Sequence, residues 1–277
     1  MTRREALDKA KSELASRNIE DAGLEAEVLL RHILGIDRTR LYLTLQEELT
    51  LEQVKAFQEL LERRLRDVPL AYVVKHREFY GLDFYINQDV LIPRPETELL
   101  VEKAMSIATH SNINKIADIG TGSGIIAVTL AVKLPEARFY AVDISESALA
   151  VALLNAEKHG VIHRITFLQG DLVTPLPERC GLIVANLPYV KQSEIIEPIA
   201  AEPHRALDGG KEGLDVITRF CREVKTKLTP GGYALMEIGQ GQSDAVRKDL
   251  KRLYPDAEIT VYKDLAGIDR VIQAKIT

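Results

Sequence analysis

Tryptophan does not occur in this 277-residue chain, and cysteine occurs only as Cys180 and Cys221. Two cysteines in so long a chain make no disulfide framework, and no Cys/His cluster has zinc spacing, so no metal site is expected. No apolar run reaches the roughly 20 residues of a membrane-spanning helix. Positive charge is not in excess either: 36 Lys and Arg face 41 Asp and Glu, for a net charge of -5. Residues 1–87 hold 14 basic and 16 acidic side chains, or -2, which leaves -3 for the remainder. Neither half is a basic module, and stable nucleic-acid binding, which runs on phosphate neutralisation, is not expected. The opening Met1-Thr2-Arg3-Arg4-Glu5-Ala6-Leu7 is charged and then amphipathic. That is unlike a signal or transit sequence, and a cytoplasmic location is the expectation.

What is present is a soluble globular composition, 46% hydrophobic and 28% charged, in a length that allows one large or two ordinary domains. The first third reads as a small helical bundle. Thr2 and Glu5 are spaced as a capping box ahead of Leu7, Ala10 and Leu14 at helical intervals. A second helix spans residues 21–34, with Gly35 as its stop. Thr50 and Gln53 form another box before Val54, Phe57, Leu60, Leu61 and Leu65. Pro69 ends that helix, and residues 70–74 can add a short one. The expected division is 1–77 for this bundle, 78–94 for a hairpin or extended connector with a proline-rich linker, and 95–277 for the rest. In the connector, Arg94 stands between Pro93 and Pro95, a rigid loop ahead of a helix that Pro95, Glu96 and Glu98 suit. A rigid loop carrying one arginine suits the lining of an active site as well as a linker.

The rest of the chain is organised around Ala117-Asp118-Ile119-Gly120-Thr121-Gly122-Ser123-Gly124. Residues 115–119 read as a buried strand, Gly120 to Gly124 as a turn, and residues 125–132 as the opening of a helix. This is the ligand-holding corner of a doubly wound sheet. A dinucleotide site wants G-x-G-x-x-G. Here the third glycine comes one residue early, and Ile125 fills its slot. An acidic residue before G-x-G-x-G resembles the S-adenosylmethionine corner of the class I methyltransferases. From Ile116 onward strand and helix alternate, which predicts a parallel sheet. The second strand, 137–143, ends in Asp143, where a carboxylate can accept from a ribose diol. A third strand exits at Asp171 and Leu172, beside an adenine in such a fold. The closing strands, near 258–262 and 270–274, predict an antiparallel pair at one edge, and Pro230-Gly231-Gly232 predicts a turn before a fifth strand at 233–238.

The fourth strand, Leu182-Ile183-Val184-Ala185, delivers Asn186-Leu187-Pro188-Tyr189. Methyl transfer to an amide or aryl-amine nitrogen faces a delocalised lone pair. A site helps by accepting hydrogen bonds from both N–H groups. The Asn186 side-chain oxygen and the Leu187 carbonyl can do so. Pro188 holds Leu187 extended, and Tyr189 offers a ring for a planar group. No strong base is needed, because the methylated nitrogen is acidic.

Together these stretches resemble the HemK/PrmC family of protein-(glutamine-N5) methyltransferases, over nearly the whole chain. Leu91 to Glu98, Asp118 to Gly124, Asn186 to Tyr189, Glu202-Pro203 with Ala206-Leu207, Glu237-Ile238-Gly239 and Lys263 to Arg270 match in order and spacing. The resemblance implies an α/β class I methyltransferase (Rossmann-like) domain with a seven-stranded mixed sheet and a small N-terminal helical domain. It implies S-adenosylmethionine held by Gly120, Thr121, Gly122, Ser123, Gly124, Asp143, Leu172 and Asn186. It implies a catalytic role for Asn186, Pro188 and Tyr189. It also implies that these, with Leu187 and Arg94, grip the glutamine of the Gly-Gly-Gln motif in peptide-chain release factors, in translation termination. The front domain would dock the rest of the factor. One departure stands out: the family usually has Asn-Pro-Pro-Tyr. Asn-Leu-Pro-Tyr is similar to the form seen in ribosomal-RNA adenine dimethyltransferases, so an adenine N6-methyltransferase on RNA or DNA is the alternative enzyme. A donor-binding adaptor without turnover is the non-enzymatic one.

Overall fold

The computed structural model describes residues 1–196 and 199–277. They form two units, Met1–His76 and Arg77–Thr277. The stretch 78–94, expected as a linker, falls inside the second.

In the first unit the helices are α1 (Arg3–Ser16), α2 (Ala22–Leu34), α3 (Arg38–Leu43), α4 (Leu51–Leu65) and α5 (Leu70–Val74). Both capping boxes form. Thr2 Oγ1 accepts from the Glu5 amide at 3.2 Å while Glu5 Oε2 accepts from the Thr2 amide at 2.8 Å. Thr50 and Gln53 repeat the exchange at 3.2 and 3.0 Å. Gly35 takes a left-handed conformation and stops α2. Ala10, Leu14, Leu29, Leu30, Leu41, Phe57 and Leu61 meet in one core. Helix α3 was not expected. Six residues are too few to show a period, and its start rests on Asp37, whose side chain accepts from the Arg40 amide at 2.7 Å.

The second unit begins with β1 (His76–Phe79) and β2 (Leu82–Tyr85), joined by Tyr80 and Gly81, both at positive φ as a two-residue hairpin turn requires. There follow α6 (Thr97–His110), β3 (Lys115–Ile119), α7 (Ile125–Lys133), β4 (Arg138–Asp143), α8 (Glu146–Lys158), β5 (Ile165–Gln169) and β6 (Cys180–Ala185). The chain closes with α9 (His204–Leu207), α10 (Asp215–Glu223), β7 (Leu228–Glu237), α11 (Ser243–Leu253), β8 (Glu258–Lys263) and β9 (Asp269–Ile276). The seven-stranded sheet has the order β5-β4-β3-β6-β7-β9-β8. β3 through β7 pair in parallel, and β9 runs antiparallel to both β7 and β8. Strand order reverses between β3 and β6, the place where α/β sheets open a crevice.

One element departs from expectation. Pro230-Gly231-Gly232 lies inside β7, not before it. The partner register jumps from Cys180↔Leu228 to Leu182↔Tyr233, so the extra residues bulge out of the ladder and the strand continues. Gly231, at φ 74°, permits that bend.

Parallel strands covered on both faces read as near-continuous apolar runs, and the central β6 (Cys180–Ala185) is one. Ala117, Ile119, Ile183, Ala185, Met236 and Ile272 pack on one side with Ile217, Phe220, Val246 and Leu250 from α10 and α11. α6, α7 and α8 pack on the other. A single polar side chain ties the periphery to this frame. Asn155 of α8 is fully buried; its Nδ2 donates to the carbonyls of Ser123 (2.8 Å) and Tyr85 (3.0 Å), and its Oδ1 accepts from the Tyr85 amide (2.7 Å). It thereby fastens the β2 hairpin strand to the glycine turn. Replacing Asn155 by alanine strands one buried and two partly buried backbone groups, at up to about 1–3 kcal/mol each before relaxation. The expected outcome is a loss of about 2–4 kcal/mol in unfolding free energy by urea titration, and a change under about 0.5 kcal/mol would refute the fastening role.

Candidate active site

Sheet register assembles the site. Ile119 pairs with Val142 on one side and with Ala185 on the other. The residues that follow, Gly120, Asp143 and Asn186, therefore meet at the carboxyl edge of three adjacent strands. They line one cleft of about 640 Å³, within the range of small-molecule sites. Thr121, Gly122, Ser123, Leu172, Leu187, Pro188 and Arg94 line it as well. Gly124 and Tyr189 do not. A Cβ on Gly124 would stand 3.0 Å from Ala152 Cβ, so this glycine serves the close approach of α8. The Tyr189 hydroxyl is turned to Glu237 Oε1 at 2.9 Å.

The glycine turn is held from beneath by Asp118. Its Oδ2 accepts from Thr121 Oγ1 at 2.6 Å and from the Ala127 amide at 3.1 Å, so the carboxylate sits at the positive end of α7. Asp118 is fully buried and not part of the cleft lining; it acts on the turn and not on a ligand. Burial raises its pKa from 3.8 to about 7, against the pull of those two hydrogen bonds. Above it, Gly122 has φ 54° and no atom nearer than 4.0 Å to the place a Cβ would take. A Cβ there would be strained and would intrude on open cleft. This is a cradle for a ligand that presses against backbone.

Asp143 is fixed by two backbone amides. Oδ2 accepts from Gly122 at 2.8 Å and Oδ1 from Ser145 at 2.9 Å. Its pKa is raised by burial, which these contacts and the nearby Arg205 oppose. The amide bonds occupy one lone pair on each oxygen and leave the others for a diol. Capping of α8 falls instead to Ser145, whose Oγ accepts from the Ala148 amide at 3.3 Å. Leu172, at the rim, has φ 49°, a conformation uncommon for a residue with a side chain. Such a residue is held by its surroundings, and this one is buried against the core below the cleft.

On the opposite wall, Leu187 is buried. Its Cδ2 would lie 3.2 Å from a Cβ on Gly120, so this leucine packs onto the glycine turn. Gln242 anchors the far end of the Asn186–Tyr189 loop. Its Nε2 donates to the Tyr189 and Gly213 carbonyls (3.0 and 3.1 Å), and its Oε1 accepts from the Gly239 amide (2.8 Å). Asn186 Nδ2 donates to Thr97 Oγ1 at 3.3 Å.

Arg94 is paired with Glu202, whose other oxygen accepts from the Ile92 amide at 2.9 Å. The proline-bounded loop is thus clamped to the segment after β6. Glu202, Thr97 and Arg205 are site residues that the motif reading did not single out. Glu202 carried a signal in the Glu202-Pro203 stretch, and Thr97 in the run Pro95-Glu96-Thr97-Glu98. Ile144, exposed beside Asp143 and lining the cleft, carried none.

A seven-stranded sheet of this order, with a glycine cradle at the switch point and a carboxylate on the next strand, defines a class I methyltransferase. Solved structures agree. The chain superposes on a methyltransferase from Pyrococcus furiosus with a TM-score of 0.53 at 14% identity, covering 79% of this chain and 98% of that one. It superposes on a ribosomal protein L11 methylase from Lactobacillus delbrueckii subsp. bulgaricus with a TM-score of 0.51 at 20% identity, covering 69% and 83%. Residues 5–74 match the PrmC N-terminal domain, and residues 95–229 match the methyltransferase small domain. Release factor glutamine methyltransferases of Moorella thermoacetica and Geobacter sulfurreducens are 42% and 40% identical to it, over 99% of this chain and 98% and 97% of theirs. The one from Bacillus subtilis is 37% identical over 95% of both. The chain belongs to the release factor glutamine methyltransferase family.

Asp118 gives the site a pH signature. Its folded pKa exceeds its unfolded one, so the folded protein holds more protons between pH 3.8 and about 7. Stability from this group falls as pH rises through that window and levels off above it. Asp118→Asn keeps an oxygen for both hydrogen bonds and removes the titration. The urea midpoint of the variant relative to the parent should climb from pH 4 to 7 and then stay level, on the basis of that raised pKa. Parallel profiles would assign the proton elsewhere.

Proposed function

We propose that this protein transfers a methyl group from S-adenosylmethionine to the side-chain amide nitrogen, N5, of the glutamine in the Gly-Gly-Gln motif of peptide-chain release factors, and so acts on translation termination. The observation that carries this reading is the Asn186 carboxamide, held by Thr97 at the edge of the cleft, within the same cavity as the Gly120–Ser123 cradle.

The residues that would hold the donor are Gly120, Thr121, Gly122, Ser123, Asp143, Leu172 and Asn186, with Gly124 shaping the turn from behind. When bound, S-adenosylmethionine supplies an electrophilic methyl group on a sulfonium. Asp143 has lone pairs for the two ribose hydroxyls. Gly122, having no Cβ, lets the ligand reach the backbone. Asn186 Oδ1 accepts one N–H of the glutamine amide, and the Leu187 carbonyl accepts the other. Two acceptors fix the amide plane and favour the positive charge that develops on nitrogen. Pro188 restricts Leu187 to extended backbone and keeps that carbonyl aimed. Tyr189, turned toward Glu237, supports the loop more than it faces the substrate. The proton of the methylated nitrogen leaves to water. Arg94, held by Glu202, contributes to the substrate side of the cleft, and the helical unit serves recognition of the rest of the factor.

Incubation with methyl-labelled donor and a release factor should label the factor at that glutamine, and a factor with alanine there should stay unlabelled. Label entering RNA and not the factor would overturn the reading in favour of an adenine N6-methyltransferase. Asn186→Ala should lower kcat by about a hundredfold or more, a larger effect than on donor affinity, the scale of losing one preorganised polar group. Asp143→Ala should weaken donor binding by about 1.5–3 kcal/mol in calorimetry, as for a lost charged hydrogen-bond acceptor. Unchanged kcat in the first, or an unchanged dissociation constant in the second, would remove that residue from its role.

A further inference from the structure

Three arginines line the cleft: Arg94, Arg205 and Arg219. A ligand whose reacting carbon sits on a sulfonium is a cation, and the amide nitrogen that takes the methyl group becomes one in turn. A bare guanidinium on the wall works against both. Two like unit charges about 10 Å apart, roughly the span of a 640 Å³ cleft, oppose one another by roughly fourfold to fifteenfold in a binding constant at an effective dielectric constant of about 20 to 40. Arg94 is tied to the amide end of the cleft. Its carbonyl accepts from the Thr97 amide at 3.2 Å, and Thr97 Oγ1 accepts from Asn186 Nδ2 at 3.3 Å. Its Nη2 donates to Glu202 Oε1, and the Ile92 amide donates to Glu202 Oε2 at 2.9 Å. Both carboxylate oxygens are thereby occupied. The Glu202 side chain is 4% exposed and no part of the cleft lining, whereas the Arg94 side chain lines the cleft and is 33% exposed. Among the described residues Arg94 Nε and Nη1 have no acceptor, and neither atom is buried. Arg219 is placed differently: it pairs with Asp171, both side chains are 48% exposed, and water screens them.

From this arrangement we propose that Glu202 is a positioning residue that cancels the charge of Arg94 from behind the cleft wall, so that Arg94 can donate hydrogen bonds to the substrate without repelling the cationic donor. A buried ion pair stabilises a fold no more than a well-packed apolar pair of the same volume, so fastening a loop does not by itself call for one. What the pair adds is an arginine with N–H groups to spare and no net charge around it. Glu202 touches no ligand and acts through Arg94. Its placement outside the cleft keeps the carboxylate away from the amide nitrogen and the ribose, where a further acceptor would compete with Asn186 and Asp143.

The inference rests on S-adenosylmethionine being the ligand of the cleft, and the test separates the two without any turnover. S-adenosylhomocysteine has the same adenosyl and amino-acid parts but a neutral thioether in place of the sulfonium. The ratio of the two dissociation constants, methionine form over homocysteine form, therefore gauges the charge around the sulfur. Calorimetry on the full chain should show that Glu202→Gln, which leaves Arg94 unmatched, raises this ratio about fivefold. Arg94→Gln, which leaves the carboxylate unmatched, should lower it. Combining the two substitutions should return it to within about twofold of the parent's. A clamp that only fastens the loop weakens both ligands together and leaves the ratio where it was. If the ratio stays within about twofold of the parent's in both single variants, the compensation is wrong and the donor reading stands. If Glu202→Gln does not fold, Arg94→Gln decides by the same criterion. If the parent binds neither ligand, the donor reading fails and this inference falls with it.

Discussion

Parallel pairing of β3 with β4 on one side and β6 on the other is the constraint on which everything else here depends. It aligns three strand ends that are 23 and 43 residues apart in the chain, from Gly120 to Asp143 and from Asp143 to Asn186. A slip of one residue would carry a terminal side chain about 3.3 Å along its strand and turn it to the other face. The slip is resisted by burial. Ile116, Ala117, Ala141, Val142, Leu182, Ile183 and Val184 are all without solvent exposure, so any other register would have to repack fully buried side chains of different size.

Several polar side chains in this frame have a definite task. Asp118 spans the glycine turn and the first turn of α7, so the shape of the cradle depends on a carboxylate that is costly to bury. Asn155 ties the cradle to the β2 hairpin strand from the far side. Gln242 holds the Asn186–Tyr189 loop to the glycines at 213 and 239. Arg94 and Glu202 close the remaining side. The cleft is therefore bordered by loops, and four of the stretches around it are fastened by buried or partly buried side chains. Such fastening is the condition for preorganised acceptors to work, since a loop free to shift by 1 Å gives up much of the gain.

The same frame underlies methyltransferases that share 20% identity or less with this chain. Besides that shared frame, this chain carries a helical unit, a proline-bounded loop at Arg94 and an Asn-Leu-Pro-Tyr stretch. Leu187 shows how a departure is absorbed. Its carbonyl belongs to the backbone whichever side chain is attached, and the leucine side chain finds a buried place against the Gly120 turn.

Local order was legible in the residues themselves. Capping boxes, the Gly35 stop, the strand–glycine–helix corner and the antiparallel closing pair all depend on neighbours within a few positions, and hydrophobic periodicity reports them directly. So did the candidate residues Gly120, Asp143 and Asn186, because each ends a strand of recognisable pattern. Short α3 escaped for want of a full period, and the Pro230–Gly232 bulge escaped because proline and glycine mark a turn and a bulge alike. Tertiary structure alone decided that Gly124 packs behind the cradle, that Tyr189 turns to Glu237, and that Glu202 reaches back to Arg94. Those facts join residues 28 to 108 positions apart. No spacing rule encodes them, because a side chain's partner across a core is set by how the layers stack and not by its neighbours in the chain.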